Sequence, residues 1–151
     1  MDDQLTIPGV RVSRTNSMKM LRQIVQMTGT ESVLVIFSYS VTDGWLRQLM
    51  KLRQEYQVPH ITLVLDREVM IRHREKLMQI QRVADACYLT DSHAKVYMSR
   101  GKERTIALIT SANATNNYRN ECYYATDRPG EIEQITRDIR AILEASDRIT
   151  G

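Results

Sequence analysis

The sequence predicts an α/β domain: a mixed, largely parallel β-sheet with helices on both of its faces. Two observations lead there. Apolar, β-branched runs alternate with segments of helical apolar spacing from residue 17 to residue 90. A strand pair around Gly101 and a last amphipathic helix then complete the chain. The length of 151 residues sets a single domain, 1–151, large enough to bury a core without staples.

The elements follow in order. Met20, Leu21, Ile24 and Met27 recur at helical spacing in "SMKMLRQIVQM" (17–27), with Asn16 or Ser17 as N-cap and Gly29 as stop. "ESVLVIFSYSV" (31–41) has the composition of a buried strand. Asp43 caps "GWLRQLMKLRQEY" (44–56), where Trp45, Leu49 and Leu52 share a face and Trp45 belongs in the core. Pro59 punctuates, and "HITLVLD" (60–66) reads as a second buried strand. "REVMIRHREKLMQIQR" (67–82) reads as one helix with a solvated basic face, and "ADACYLT" (84–90) as a third strand. "HAKVYMS" and "ERTIALITSA" flank Gly101 as a hairpin with its tip near Arg100–Lys102. "ECYYATD" (121–127) is another strand. Pro129 and Gly130 open a helix whose stripe is Ile132, Ile135, Ile139 and Ile142.

Composition excludes some classes of function. The net charge of +3 is mildly basic and compatible with a phosphate-bearing partner. The two cysteines, Cys87 and Cys122, form no C-x-x-C and sit in apolar runs, so buried free thiols in a reducing compartment are expected. The N-terminal "MDDQLTIPGV" has no apolar core of a signal peptide, and no apolar run is long enough to span a bilayer. The expected location is the cytoplasm, with no stable membrane association.

The polar residues of "HAKVYMSRGKERTIALITSAN" (93–113) carry the chemistry. Strand alternation puts His93, Lys95 and Tyr97 on one face and Ala94, Val96 and Met98 on the other. Ser111 and Asn113 share a face of the next strand, opposite Leu108 and Thr110. Pairing around Gly101 brings both polar sets to one end of the sheet, within reach of Glu121. Lys95 supplies charge, and Ser111 and Asn113 supply donors, for an oxyanion such as a phosphate. His93 facing it suits a nucleophile or a general acid/base. No second His or Cys stands at metal-ligand spacing, so neither a metal nor another cofactor is expected.

H-x-K at 93–95, then S-x-N-x-T at 111–115 and "RNE" ending at Glu121, resembles the motif of the phospholipase D superfamily. The quoted match covers "HAKVYM" and "ALITSANATNNYRNE". The resemblance implies a phospholipase D-like fold and metal-independent phosphodiester hydrolysis. It implies that His93 attacks phosphorus to form a phosphohistidine, that Lys95 and Asn113 hold the nonbridging oxygens with Ser111 behind them, and that Glu121 bonds the His93 imidazole. Two H-x-K motifs are needed per site, and His60 and His73 begin no other, so the implied assembly is a homodimer sharing one site. The motif departs at two positions: its Asp is Arg100 here, and the Gly before its Ser is Thr110.

The expected function is an endonuclease of low sequence specificity on DNA or RNA. Arg100, Lys102 and Arg119 are the expected contacts to the nucleic-acid backbone, with Arg104 nearby. Two rival readings are a phospholipase D-type lipid hydrolase and a non-catalytic phosphate- or nucleic-acid-binding protein.

Overall fold

The computed structural model describes residues 4–150. The acidic Met1–Asp3 that opens the sequence lies outside them. The elements are β1 (Gly9–Thr15), α1 (Ser17–Thr28), β2 (Val33–Ser38), α2 (Asp43–Tyr56), β3 (Ile61–Asp66), α3 (Arg67–Arg72), a 3-10 turn (Arg74–Lys76), α4 (Leu77–Val83), β4 (Ala86–Thr90), β5 (Val96–Arg100), β6 (Thr105–Thr110), β7 (Arg119–Thr126), α5 (Pro129–Glu144) and β8 (Asp147–Thr150).

The eight strands form one mixed sheet in the order β1-β7-β6-β5-β2-β3-β4-β8. This corrects the largely parallel sheet read from the sequence. Only β2–β3 and β3–β4 pair in parallel; the other five junctions are antiparallel. The strand–helix–strand reading holds for β2, α2, β3 and β4, where helices separate the strands. Beyond β4 the chain crosses to β2 and lays β5 antiparallel beside it, Phe37 against Val96. From there β5, β6 and β7 run as a meander, and β1 closes that edge.

Side-chain alternation sorts the core into two layers. Leu34 and Ile36 of β2, Tyr97 of β5 and Leu108 of β6 pack with Leu21, Ile24, Trp45, Leu49 and Ile80 of α1, α2 and α4. Phe37, Val64, Met98 and Ala107 point the other way, to Ile132 and Ile139 of α5 alone. Helical cover on that second face is thin. It leaves Val10 and Val12 of β1 68% and 72% exposed, and Ile109 of β6 is also exposed.

Local chemistry explains several boundaries. Asn16 caps α1, its side chain accepting from the Lys19 N–H at 2.9 Å, as expected. α2 is capped by Thr42 rather than Asp43, which is the first helical residue. The single helix expected over 67–82 breaks at His73 (φ −128°, ψ 49°) into α3, the 3-10 turn and α4. Gly101 sits at the hairpin tip because a Cβ there would lie 2.3 Å from the Thr28 carbonyl oxygen. Ile142 is more exposed than its place in the α5 stripe implies. Cys87 is buried, whereas Cys122 is exposed, since its face of β7 is not covered by α5. Among the described residues no helix is long and apolar enough to cross a membrane.

Candidate functional site

One end of the sheet collects the carboxyl ends of β2, β3, β4 and β6 and the amino ends of β5 and β7. The five residues His93, Lys95, Ser111, Asn113 and Glu121 all lie along this rim, though not as strand alternation places them. β5 begins only at Val96, so His93 and Lys95 sit on the loop before it. β6 ends at Thr110, so Ser111 and Asn113 follow it on a loop. Tyr97 is therefore not a partner of His93 on a shared strand face; it is wholly buried in the core.

Hydrogen bonds position each residue. The Thr110 N–H donates to the Lys95 carbonyl at 3.1 Å, which holds the Lys95 loop beside the end of β6. Lys95 Nζ has no hydrogen bond or ion pair among the described residues. Ser111 Oγ donates to Glu121 Oε1 at 2.6 Å and accepts from the Cys122 N–H at 3.1 Å. Glu121 is thus bonded to Ser111, and neither ring nitrogen of His93 has a hydrogen-bond partner among the described residues. The Asn113 carboxamide oxygen accepts from the Tyr39 N–H at 3.2 Å. That leaves its Nδ2 without a partner among the described residues.

Beneath the rim lies a polar layer that sequence reasoning missed. Ser17, fully buried at the start of α1, donates to the Asn113 carbonyl at 2.8 Å and accepts from Trp45 Nε1 at 3.0 Å. Tyr97 Oη donates to the Ala112 carbonyl at 2.8 Å. Burial pushes the Tyr97 phenol well above its usual range, and the Glu121 charge adds to that. The Ser111–Asn113 loop is therefore tied from below at two consecutive carbonyls. Asp66, at the end of β3, caps α3 and accepts from the Ser92 N–H at 3.1 Å, which fixes the loop bearing His93. The signal that could have found Ser38 and Asp66 is their place at the carboxyl ends of parallel strands, where open α/β sheets present functional groups.

His93 is exposed and lines a cleft of about 410 Å³ with Tyr39, Asp66, Glu68, Asp91 and Ser92. Its ring meets Tyr39 edge-on, with centroids 4.7 Å apart and planes at 84°. No group of three or more His, Cys, Asp or Glu side chains arranged to hold a metal ion occurs among the described residues.

The expected backbone contacts divide. Arg119 opens β7 at this rim, in register with Thr15. Arg100 and Lys102 do not belong here. Val96 of β5 stands opposite Phe37 at the site end, and Arg100 stands opposite Val33 at the far end. Arg100 donates there to Thr136 Oγ1, and Lys102 pairs with Glu31 at 3.2 Å. Arg100 also lines a larger cleft of about 960 Å³ with Arg104, Arg137 and Arg140, a full strand length from His93. Size does not make that cleft the site: its guanidiniums are partly matched by Asp127 and Glu133, and none of the His93 cluster reaches it.

Comparison with known proteins corrects the family reading. No family model matches the chain, and no curated protein matches it. Solved structures that share the fold include the following two. One is TrmBL2, an archaeal chromatin protein with a novel mode of DNA binding (TM-score 0.58, 12% identity, 91% of this chain and 53% of that one). The other is the polyphosphate kinase of Porphyromonas gingivalis (TM-score 0.53, 16% identity, 93% of this chain and 24% of that one). The chain thus spans about half the length of the first and a quarter of the second. At these identities the likeness is one of fold alone. The phospholipase D superfamily implied by the motif is not a family these comparisons return. The motif's own gaps agree, with Arg100 turned away at the far end of β5 and Thr110 bonded to the Cys122 carbonyl. What the comparisons establish is an architecture found both in a DNA-binding protein and in a phosphotransfer enzyme.

Proposed function

We propose that the chain is a phosphodiesterase acting on nucleic acid, most simply an endonuclease of low sequence specificity, with His93 as nucleophile. The observation that carries the reading is an exposed His93 at the same end of the sheet as Lys95 Nζ and Asn113 Nδ2, neither of which has a partner among the described residues, and as the Ser111–Glu121 pair. A cation and neutral donors around an imidazole suit a diester phosphate, whose charge grows on the nonbridging oxygens as phosphorus is attacked. In the first step a His93 ring nitrogen attacks phosphorus and the P–O bond to the leaving group breaks. The leaving oxygen takes a proton from a second imidazole, the partner subunit's His93 in a two-fold dimer. In the second step water attacks the phosphohistidine. The P–N bond breaks, and the water proton passes to that same partner imidazole. The DNA binding of TrmBL2 and the phosphotransfer of the polyphosphate kinase, both on this architecture, favour a polyanionic phosphate substrate.

The test is cleavage of single- and double-stranded DNA and RNA in EDTA by the wild type and by His93→Ala. Turnover in EDTA that vanishes in the variant is the expected result; a strict need for a divalent metal refutes the mechanism. Sedimentation at the assay concentration should show a dimer, and monomer alone refutes the shared site. Hydrolysis of a phospholipid with no action on nucleic acid would transfer the same chemistry to a lipid.

One observation favours a second reading, a phosphate-binding protein without turnover: Glu121 is engaged by Ser111, and no carboxylate orients His93. Wild type that binds nucleic acid without cleaving it, and His93→Ala that binds equally well, would select it.

A further inference from the structure

We propose that Tyr39 is the positioning residue for His93: its ring, not its hydroxyl, sets the orientation of the imidazole toward the phosphate. The inference rests on the reading of His93 as nucleophile. A nucleophilic imidazole needs something to fix its rotation about the Cβ–Cγ bond, and a hydrogen-bonded carboxylate is the common device. Here no carboxylate does this: Glu121 is bonded to Ser111, and Asp66, Glu68 and Asp91, which line the same cleft, make no hydrogen bond to the imidazole among the described residues. What His93 does meet is the Tyr39 ring, perpendicular to it at 4.7 Å, a favoured geometry for two aromatic rings.

A ring can orient its neighbour only if it is itself held. Tyr39 follows directly on β2, the strand beside β5 in the middle of the sheet. Its N–H donates to Asn113 Oδ1. Before it, the buried Ser38 hydroxyl donates to the Ser40 carbonyl at 2.5 Å and accepts from the Ala114 N–H at 2.8 Å. The backbone carrying the ring is thus clamped to the 113–114 loop from two sides. Asn113 then serves two ends at once. Its oxygen anchors Tyr39, and its Nδ2 has no partner among the described residues. Nucleophile and phosphate donor are set by one connected piece of structure. The Tyr39 hydroxyl makes no hydrogen bond among the described residues, so the ring alone carries the role.

The experiment combines two readouts on Tyr39→Phe and Tyr39→Leu. The first is the NMR signal of the His93 ring protons, which the current of a perpendicular aromatic ring displaces. Wild type should show cross-relaxation between the two rings. Tyr39→Phe should keep the displaced shifts, and Tyr39→Leu should lose them. The second is steady-state cleavage. Tyr39→Leu should lose roughly tenfold to a hundredfold in kcat, the scale of a misplaced reacting group, with KM changed less than about twofold; Tyr39→Phe should retain both. Absence of ring-to-ring cross-relaxation in the wild type overturns the proposal without any variant. A loss in Tyr39→Phe equal to that in Tyr39→Leu also overturns it, since the hydroxyl would then be acting. If wild type shows no turnover, or His93→Ala keeps it, the nuclease reading falls, while the NMR result still decides whether Tyr39 orients His93.

Discussion

Replacing Tyr97 by Phe removes one oxygen atom from the core and tests how the site is held from below. The phenol is fully buried, and its hydroxyl donates to the Ala112 carbonyl at 2.8 Å. Ala112 is itself buried, between Ser111 and Asn113. In the variant this buried carbonyl loses its donor, so the cost is a lost hydrogen bond together with an acceptor left unsatisfied, about 1–3 kcal/mol. Packing changes little, because the ring is retained. For a domain of this size each kcal/mol lowers Tm by about 2–4 °C, which puts the expected fall near 2–12 °C. Equilibrium urea unfolding should show a lower midpoint with an unchanged m-value. The loop effect is separable by amide exchange. The Ser111 N–H, which donates to the Cys122 carbonyl, should exchange faster by more than the global destabilisation accounts for. A destabilisation below about 0.5 kcal/mol, with Ser111 exchange unchanged, would refute the claim that Tyr97 anchors this loop.

Three further outcomes follow from particular contacts. Burial pushes the Cys87 thiol up to about 12, while Cys122 is exposed, so a thiol reagent should titrate one group in the native protein and two after denaturation. Partial burial pushes the Asp85 carboxyl up, but hydrogen bonds from Arg53 and the Ile61 N–H outweigh it and leave the group below its usual value. A depressed folded value means that the stabilisation is full above the unfolded value, near pH 4, and is lost as pH falls through the lower folded value. The urea midpoints of wild type and Asp85→Asn should therefore differ at pH 7 and draw together toward pH 2. Gly101→Ala forces a Cβ against the Thr28 and Arg104 carbonyl oxygens, at 2.3 and 2.9 Å, and should cost about 1–3 kcal/mol in chemical unfolding, with His93 unaffected in its NMR shifts.

The sequence is most legible where one element carries one clear period. α1, α2 and α5 show their apolar stripes, and β2, β3 and β4 are apolar runs between them. Strand direction is another matter, because it depends on where β5 inserts, and nothing within residues 91–100 says that its neighbour is β2 and not β4. β1 was missed because its apolar residues, Val10 and Val12, face outward and so look like ornament on a polar tail. β8 is only four residues long and follows α5 almost without a break. The break at His73 has no Gly or Pro to announce it. At the candidate site the expected strand-face geometry is not the one found. His93, Lys95, Ser111, Asn113 and Glu121 lie at one rim, the first four on loops and Glu121 in β7, with Glu121 bonded to Ser111. The misplacement of Arg100 and Lys102 was avoidable, since a hairpin tip must lie a strand length from the residues that open its first strand.

The pairing of β1 with β7 has a consequence for synthesis. Thr15 stands opposite Arg119, about a hundred residues later. A ribosome adding about 5–20 residues per second leaves the first strand waiting for several seconds before its hydrogen-bonding partner emerges. During that interval the chain presents a bare edge with two outward valines. A nascent polypeptide stalled short of β7 should be far more prone to sticking to its neighbours on a polysome than the finished molecule is.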